Sequence, residues 1–551
     1  MTAKIPPAIY PETAAKYMNI FNSLHITDVL GNPSIKDLTQ KLWYKDFAEF
    51  FFGTFNEKER IRAIQEFFVL IPKKNMKSTA SGLIMLSALV SNPYRGAEFA
   101  LIAPSHEVVD NCFLPIVENI NVKQKIYNKW HFLEAHTSKD GKRYILDKRT
   151  NATLKITTPL MSTNQGKKWQ GVLIEEVALW QSIKKSTAIL NEISGNLVNK
   201  KDSFIIYLTT QSYEPPYGVF NALLDRARSV EAGGYSEMLK QKFFPLLYEF
   251  SKEQIKSGFY KNPDNWHIVN PALDISVDKE RLMRMQKDAE NAGLEAENEF
   301  YAKYLNVQIN IAQTKNSWAG AKYWEDCEKK LSLDELIDSS VCIYLGIDGG
   351  GLDDLTGLAV LGIDKNGIWR TWCYAYGVKS VLDRAGLSIY LQQFQEQGTC
   401  KIFNKIGDDA EQIAKDVEYL LDKAQGKVNK IGIDPRGGMH IINKINQLTN
   451  KIEFINQGTS QMQADSYLTM KLAQQQVIVS KSDLMRFCVG NAVVEERGDD
   501  YFLSKKSSQF KIDPLIALLN CVQLVIKYGD KATASTSGND ILDIKKIFDT
   551  I

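Results

Sequence analysis

Between Phe67 and Gln211 short apolar runs alternate with stretches of helical periodicity. The runs Phe67–Pro72, Glu98–Ala103, Gly171–Ile174 and Phe204–Thr209 are each bounded by polar or turn residues. Runs this short and this continuously apolar read as strands buried on both faces. With helical patterns between them, they predict a mostly parallel sheet with crossover helices. Residues 276–306, rich in Glu, Lys, Ala and Leu, predict a helical hairpin, and the polar, aperiodic stretch Gln308–Gly320 predicts a linker.

A second α/β pattern begins near Val341. CIYLGIDGG, LTGLAVLGID and IWRTWCYAYG are three apolar strands, the last two joined by the turn Asp364-Lys365-Asn366-Gly367, which predicts an antiparallel meander. A helix over Ala410–Ala424, a strand in KIGIDPRGG and a closing helix over 513–527 follow. The polar stretch Lys527–Asn539 is expected to be mobile. No repeat of domain-building period is present.

Length changes the picture first, because 551 residues exceed one ordinary core and predict several domains. A hydrophobic content of 44% and a charged content of 24% are those of a soluble globular protein. The longest apolar runs, such as Gly82–Val90, are far short of the roughly 20 residues a membrane span needs. Met1–Tyr10 lacks a basic-then-apolar leader pattern, so a cytosolic location is expected. Seven dispersed cysteines without a Cys-x-x-Cys pair argue against a disulfide framework and a structural zinc site. With six dispersed histidines, any metal is expected on carboxylates. A net charge of +2 permits nucleic-acid binding without pointing to it.

Candidate chemistry falls into two constellations. In the first, the strand ending in Val69-Leu70-Ile71-Pro72 runs into Lys73-Lys74-Asn75-Met76-Lys77-Ser78-Thr79 and then an apolar helix. Strand, basic loop, Lys-Ser and helix form the arrangement of a P-loop. Backbone N–H groups hold phosphates, the lysine reaches the terminal phosphates and the serine binds magnesium. Ile71 and Met76 stand where the generic pattern has glycines, and a basic loop capping a helix is the bland reading. Two further strands add to it. Gly171–Glu176 ends in the acids Glu175 and Glu176, the first placed for a magnesium ion and the second for activating water. Phe204–Gln211 ends in Thr-Thr-Gln, where Gln211 can sense a γ-phosphate from the neighbouring strand.

The second constellation is three aspartates. Asp348 and Asp434 end the apolar strands Leu345–Asp348 and Ile431–Asp434, and Asp513 opens a helix. Singly, each is an ordinary cap. Together they place three hard oxygen donors at one sheet edge, which suits magnesium or manganese. Two such ions can activate water and stabilise the leaving oxygen in phosphodiester cleavage, the logic of ribonuclease H-like nucleases.

At this point the chain resembles the large terminase subunits of tailed bacteriophages, of the siphophage type. PKKNMKS resembles their Pro-Arg-Lys-Asn-Gly-Lys-Ser/Thr loop, LIEE their Walker B strand and TTQ their coupling motif. Trp266…Asn270-Pro271 with Phe300…Leu305-Asn306 is similar to the stretch that follows the ATPase core. Gly346-Ile-Asp348…Asp354, Gly432-Ile-Asp434 and Asn491…Lys505…Lys511-Ile-Asp513…Ala517 are similar to the three nuclease motifs. The resemblance spans about residues 40–525 and implies a fold and a set of roles. The fold is α/β: an ASCE-type P-loop NTPase with a parallel sheet, then a ribonuclease H-like mixed-sheet nuclease. ATP would be held by Lys73, Lys74, Asn75, Lys77, Ser78, Thr79, Glu175 and Gln211, with Lys73 on the γ-phosphate and Glu176 as catalytic base. Asp348, Asp434 and Asp513 would bind Mg2+, or Mn2+ in its place, and Asp354 would support them. Arg436, Lys505, Lys506 and Lys511 would meet phosphates or be plain surface charge, whereas Asp353, Asp408 and Asp409 read as loop acids or caps. Met76 in place of glycine, Glu175 in place of aspartate and the lack of an adenine-reading glutamine near Leu42–Phe52 depart from the family pattern.

The implied organisation is an N-terminal extension (1–40), an ATPase domain (41–307) whose residues from about 250 form a helical subdomain, a linker (308–335), a nuclease (336–528) and a tail (529–551). The implied partners are double-stranded DNA, a small terminase subunit, the portal of the procapsid and further copies in a pentameric ring, in the host cytoplasm and without membrane contact. A helicase-like translocase, a nuclease on a degenerate ATPase scaffold and, for the second half, a sugar-kinase-like phosphate fold are the competing readings.

Overall fold

The computed structural model describes residues 5–529 apart from 28, 30, 39–41, 139–140, 184, 214–215, 217, 309–316, 350–354, 384–386, 436–438, 456–457, 498–499 and 506–510. The chain divides into two compact units, Met1–Gln313 and Thr314–Ile551.

In the first unit the expected apolar runs are strands β1 (Glu66–Leu70), β2 (Glu98–Ile102), β6 (Trp169–Glu175) and β7 (Phe204–Thr209). They are joined by β3 (Leu133–Thr137), β4 (Arg143–Asp147), β5 (Ala152–Thr157) and β8 (Phe243–Leu247), which the pattern of short apolar runs did not reveal. The spatial order is β8-β1-β7-β6-β2-β5-β4-β3. Pairing is parallel from β8 to β5 and antiparallel from β5 to β3. Strands β1, β6 and β7 are apolar and buried almost throughout because helices cover both sheet faces. Strand β7 lies between β1 and β6, the inserted strand of the ASCE topology. In register, Leu70 pairs Thr209 and Leu208 pairs Glu175, so all three strands end at one edge.

The first 40 residues, set apart above as an extension, supply helix α1 (Pro11–Asn22). Its Ala14, Tyr17, Met18 and Phe21 recur at helical spacing, and Tyr17, Met18, Phe21, Leu24, Ile26 and Ile35 join the core around the sheet. Helices α2 (Lys77–Val90) and α3 (His106–Lys125) follow β1 and β2. The expected helical hairpin is α4 (Lys279–Ala292) and α5 (Leu294–Leu305). With Phe250, Tyr260, Trp266 and Val277 it encloses a small core of its own.

The second unit is a mixed sheet. Strands β10 (Ser340–Gly349), β11 (Thr356–Asp364) and β12 (Trp369–Val378) form the expected antiparallel meander, after a two-residue β9 (Glu328–Lys329). β13 (Cys400–Phe403), β14 (Val428–Ile433), β15 (Ile452–Phe454) and β16 (Val477–Ser480) complete the order β9-β16-β12-β11-β10-β14-β15, with β13 beside β12. Helix α6 (Asp408–Lys423) covers one face and the closing helix α7 (Asp513–Tyr528) lies on the other. Of the stretch 308–335, residues 309–316 lie outside the described residues, as does the tail beyond 529. Trp318, Trp324 and Cys327 are buried within the second unit.

Glycines on β10, β11 and β14 let α7 sit directly on this sheet. A Cβ at Gly346 would lie 1.9 Å from the Ala517 carbonyl oxygen, and one at Gly357 would lie 2.6 Å from the Asp513 carbonyl oxygen. At Gly432 it would lie 3.2 Å from the Asn520 carbonyl oxygen. Gly346→Ala therefore has to push helix backbone off the sheet. We expect it to lower the stability of this unit by roughly 1–3 kcal/mol or more. Gly195→Ala, whose Cβ meets nothing within 4 Å, should leave the calorimetric midpoints in place.

Candidate functional site

The loop leaving β1 turns through two left-handed residues, Lys74 at φ 70° and Met76 at φ 59°, before α2 starts at Lys77. Met76 thus holds by strain the conformation that glycine would adopt freely. No side chain caps α2 and no acid lies in its first turn. Its N-terminal N–H groups and positive dipole end therefore face an anion without competition from the helix itself.

Around that terminus the register gathers the predicted acids. The Lys77 ammonium is 2.6 Å from Glu176 Oε1. The Ser78 hydroxyl donates to Glu175 Oε1, and the Cys112 thiol donates to Glu175 Oε2 at 3.1 Å. The Thr210 hydroxyl donates to Glu176 Oε2 at 3.4 Å. Burial works against every charge here. It raises the Glu175 pKa, whereas for Glu176 the attraction and hydrogen bond of Lys77 outweigh it and the pKa is lowered. Lys77 is raised in turn, burial being overcome by Glu176 and Glu175. Lys73 is lowered, by burial and then by repulsion from Lys303.

Not every expected nucleotide residue offers its side chain. Asn75 is fully buried, its amide donating to Asn270 Oδ1 at 2.7 Å and its Oδ1 accepting the Ala272 N–H at 3.0 Å. Only its backbone can face a phosphate. Lys74 is exposed, and its carbonyl accepts from Ser276 Oγ at 2.6 Å. Thr79 is buried within the first turn of α2. Gln211 is buried at the end of β7, where its N–H donates to Asn306 Oδ1 at 3.0 Å and its Oε1 accepts the Ser212 N–H at 3.0 Å. Its Nε2 is buried without a hydrogen-bond partner among the described residues. Sequence reasoning placed Thr210 only within the Thr-Thr-Gln strand end and Asn270 and Asn306 only within the stretch after the ATPase core, and gave no role to Cys112. Cys112 carries no local signal, since it sits mid-helix on α3 and meets Glu175 only through the fold.

In the second unit, Asp348 follows Ile347, which pairs Ile433, the residue before Asp434. Asp348 itself pairs Gly357, against which the first turn of α7, starting at Asp513, is packed. The backbones of all three aspartates therefore meet at one sheet edge. As placed, no group of three or more His, Cys, Asp or Glu side chains among the described residues is close enough to hold a metal ion. Donor type and backbone placement fit a divalent cation, and the side chains would have to turn inward to enclose it. Lys511, two residues before Asp513, is buried, which removes the plain-surface reading for it. Asp409 accepts the Gly407 N–H at 3.2 Å at the start of α6, as a cap would. Asp353, Asp354, Arg436, Lys506 and the side chain of Lys505 lie outside the described residues.

The family model for the terminase large subunit, endonuclease domain, matches residues 241–527, just over half of the chain. The chain belongs to the terminase large subunit family. The terminase large subunit of Lactococcus phage p2 is 22% identical over 517 residues, covering 89% of this chain and 87% of that protein. The crystal structure of the bacteriophage HK97 large terminase is 16% identical, with a TM-score of 0.48, covering 93% of this chain and 99% of that one. The large terminase of a thermophilic bacteriophage, solved in complex with ATP-gamma-S, is 12% identical, with a TM-score of 0.30, covering 83% and 93%.

Two outcomes follow for this terminase subunit. Asn75→Ala strands the buried Ala272 N–H and the Asn270 amide. It should destabilise the first unit by roughly 1–3 kcal/mol in a denaturant titration and weaken ATP binding with it. Met76→Gly relieves left-handed strain of about 1–2 kcal/mol but gives up a buried side chain worth about 1.5–3 kcal/mol. It should retain ATP hydrolysis with a small net loss of stability.

Proposed function

We propose that the first unit hydrolyses ATP at the cluster formed by Lys77, Ser78, Glu175 and Glu176, and that the second cuts DNA at Asp348, Asp434 and Asp513. The enzyme is an ATPase and nuclease of DNA packaging, as its family has it. The observation that carries the residue assignment is the pairing of Lys77 with Glu176 and of Ser78 with Glu175 at one helix terminus. Backbone N–H groups of residues 75–79 cradle the phosphates, and Lys77 turns from Glu176 to the β- and γ-phosphates. Lys73 adds a second cation. Ser78 and Glu175 would hold a magnesium ion, whose charge offsets that of the phosphates. Glu176, kept ionised beside Lys77, takes the proton of the attacking water as its oxygen bonds to the γ-phosphorus and the bond to the ADP oxygen breaks. Thr210 and Gln211 sit where the γ-phosphate is lost.

In the second unit the three aspartates would hold Mg2+ or Mn2+, whose charge would activate water and stabilise the leaving oxygen. Double-stranded DNA, the small terminase subunit, the portal and a pentameric ring in the host cytoplasm are the setting we propose. Among the described residues no helix is long and apolar enough to cross a membrane.

Lys77→Ala should lower ATP turnover by at least about a hundredfold while leaving DNA cleavage intact, with circular dichroism reporting the fold. Glu176→Gln should bind ATP yet hydrolyse it at a similarly reduced rate. If Glu175→Gln gives that behaviour instead, the acid roles are exchanged. A fragment of residues 314–551, which keeps Trp318 and Trp324, should fold, bind manganese and nick plasmid DNA without ATP. A folded fragment that neither binds manganese nor cleaves would overturn the nuclease assignment.

A further inference from the structure

Asn520 is one of the few fully buried polar side chains of the closing helix, with 1% of its surface exposed. It stands seven residues after Asp513, two helical turns on, and so shares the stripe of α7 that faces the sheet. There it touches both strands that carry the other two aspartates. Its Nδ2 donates to the Ile347 carbonyl at 2.8 Å, the peptide that leads directly into Asp348. Its own backbone carbonyl lies against Gly432, two residues before Asp434. Its Oδ1 is buried and has no hydrogen-bond partner among the described residues.

That half-satisfied amide is a poor choice for stability alone. A leucine of the same shape would remove an orphaned acceptor from the interior at the cost of the bond to the Ile347 carbonyl, so what the amide contributes here is its donor. β10 and β14 are in register up to Ile347 and Ile433, and the two aspartates are the next residue on each. Beyond that row no β10–β14 pair links the two aspartates, and Asp348 is held in the sheet only from its other side, by its pairing with Gly357 on β11. The Asn520 amide grips the last peptide before Asp348 from the helix that also carries Asp513.

We propose that Asn520 is a positioning residue of the metal centre: by holding the Ile347–Asp348 peptide against α7 it sets the orientation of the Asp348 carboxylate relative to Asp513 and Asp434. The inference rests on the assignment of those aspartates as metal ligands. Groups that orient metal ligands typically change metal affinity by about ten- to a hundredfold when removed. A purely structural asparagine would instead lower thermal stability and leave the metal dependence unchanged.

The test uses the full-length protein with Asn520→Leu, which keeps the shape, and Asn520→Ala, which only removes atoms and retains a strong helix former. Manganese is titrated calorimetrically, and the half-saturating manganese concentration for plasmid nicking is measured beside the thermal midpoint of each variant. Both variants should need about tenfold more manganese in both titrations, with nicking at saturating metal close to wild type. Unchanged manganese affinity in either folded variant overturns the proposal, as does loss of folding in both, which would make Asn520 structural. Asp434→Asn in the same assays separates the two levels. If it binds manganese and nicks like wild type, the metal-site assignment falls. If it is inactive while the Asn520 variants titrate like wild type, only the role of Asn520 falls.

Discussion

Lys77 and Glu176 are buried together, and neither charge could occupy this sheet edge without the other. Their side chains are 8% and 15% exposed. An isolated ion moved from water to such a position costs several kcal/mol, more than most single contacts return. The pair offsets that cost, the Thr210 hydroxyl donates to Glu176, and the Ser78 hydroxyl donates to the neighbouring Glu175. A phosphate arriving at α2 therefore exchanges one negative partner of Lys77 for another and does not have to assemble a charged site anew. The same exchange would release Glu176, so in the proposed reaction phosphate binding and release of the base are one electrostatic event.

The second unit meets the opposite constraint. Three carboxylates converge by backbone at one edge, and like charges so placed repel unless a cation or proton joins them. What brings them together is packing: the α7 backbone rests on Gly346 and Gly357, where any side chain would collide with it, and lies close against Gly432. The first site thus carries its own counter-charge, whereas the second, on the proposed assignment, needs a divalent ion to complete it.

Much of this was legible in the sequence. The strands that lead to Lys77, Glu175, Thr209, Asp348 and Asp434 are short apolar runs, because strands covered on both faces cannot alternate. Their chemistry stands at the ends, where the apolar run stops. Strands β3–β5, on one side of the sheet, alternate in burial as Ala152–Thr157 does and so lack the continuous apolar runs by which the central strands were recognised. Helix α1 was missed because Ala14, Tyr17, Met18 and Phe21 are diluted by polar and proline residues over a single helix. Asn75 illustrates a different limit. Its place in the loop motif suggested a phosphate contact, but a buried amide serves whichever partners the fold supplies, and here those are Asn270 and Ala272, nearly 200 residues away in sequence. Such partners leave no local signal.

Those long-range amides have a mechanical consequence. The phosphate loop is tied to the segment after residue 248 by Asn75–Asn270, Asn75–Ala272, Lys73–Lys303 and Lys74–Ser276. The strand end that follows γ-phosphate is tied to the same segment by Gln211–Asn306, and Asn306 reaches back to the Tyr248 carbonyl at 2.9 Å. The segment is otherwise held together by its own small aromatic core, so it can respond as a body. At roughly 1 kcal/mol net for each such bond, these ties amount to a few kcal/mol, comparable to the 1–3 kcal/mol typical of coupling between two sites. Loop and strand end cannot shift relative to each other without loading these bonds. The asparagines therefore tie one helical segment both to the loop before Lys77 and to the strand end at Gln211, so that a shift between these two would be felt by the segment.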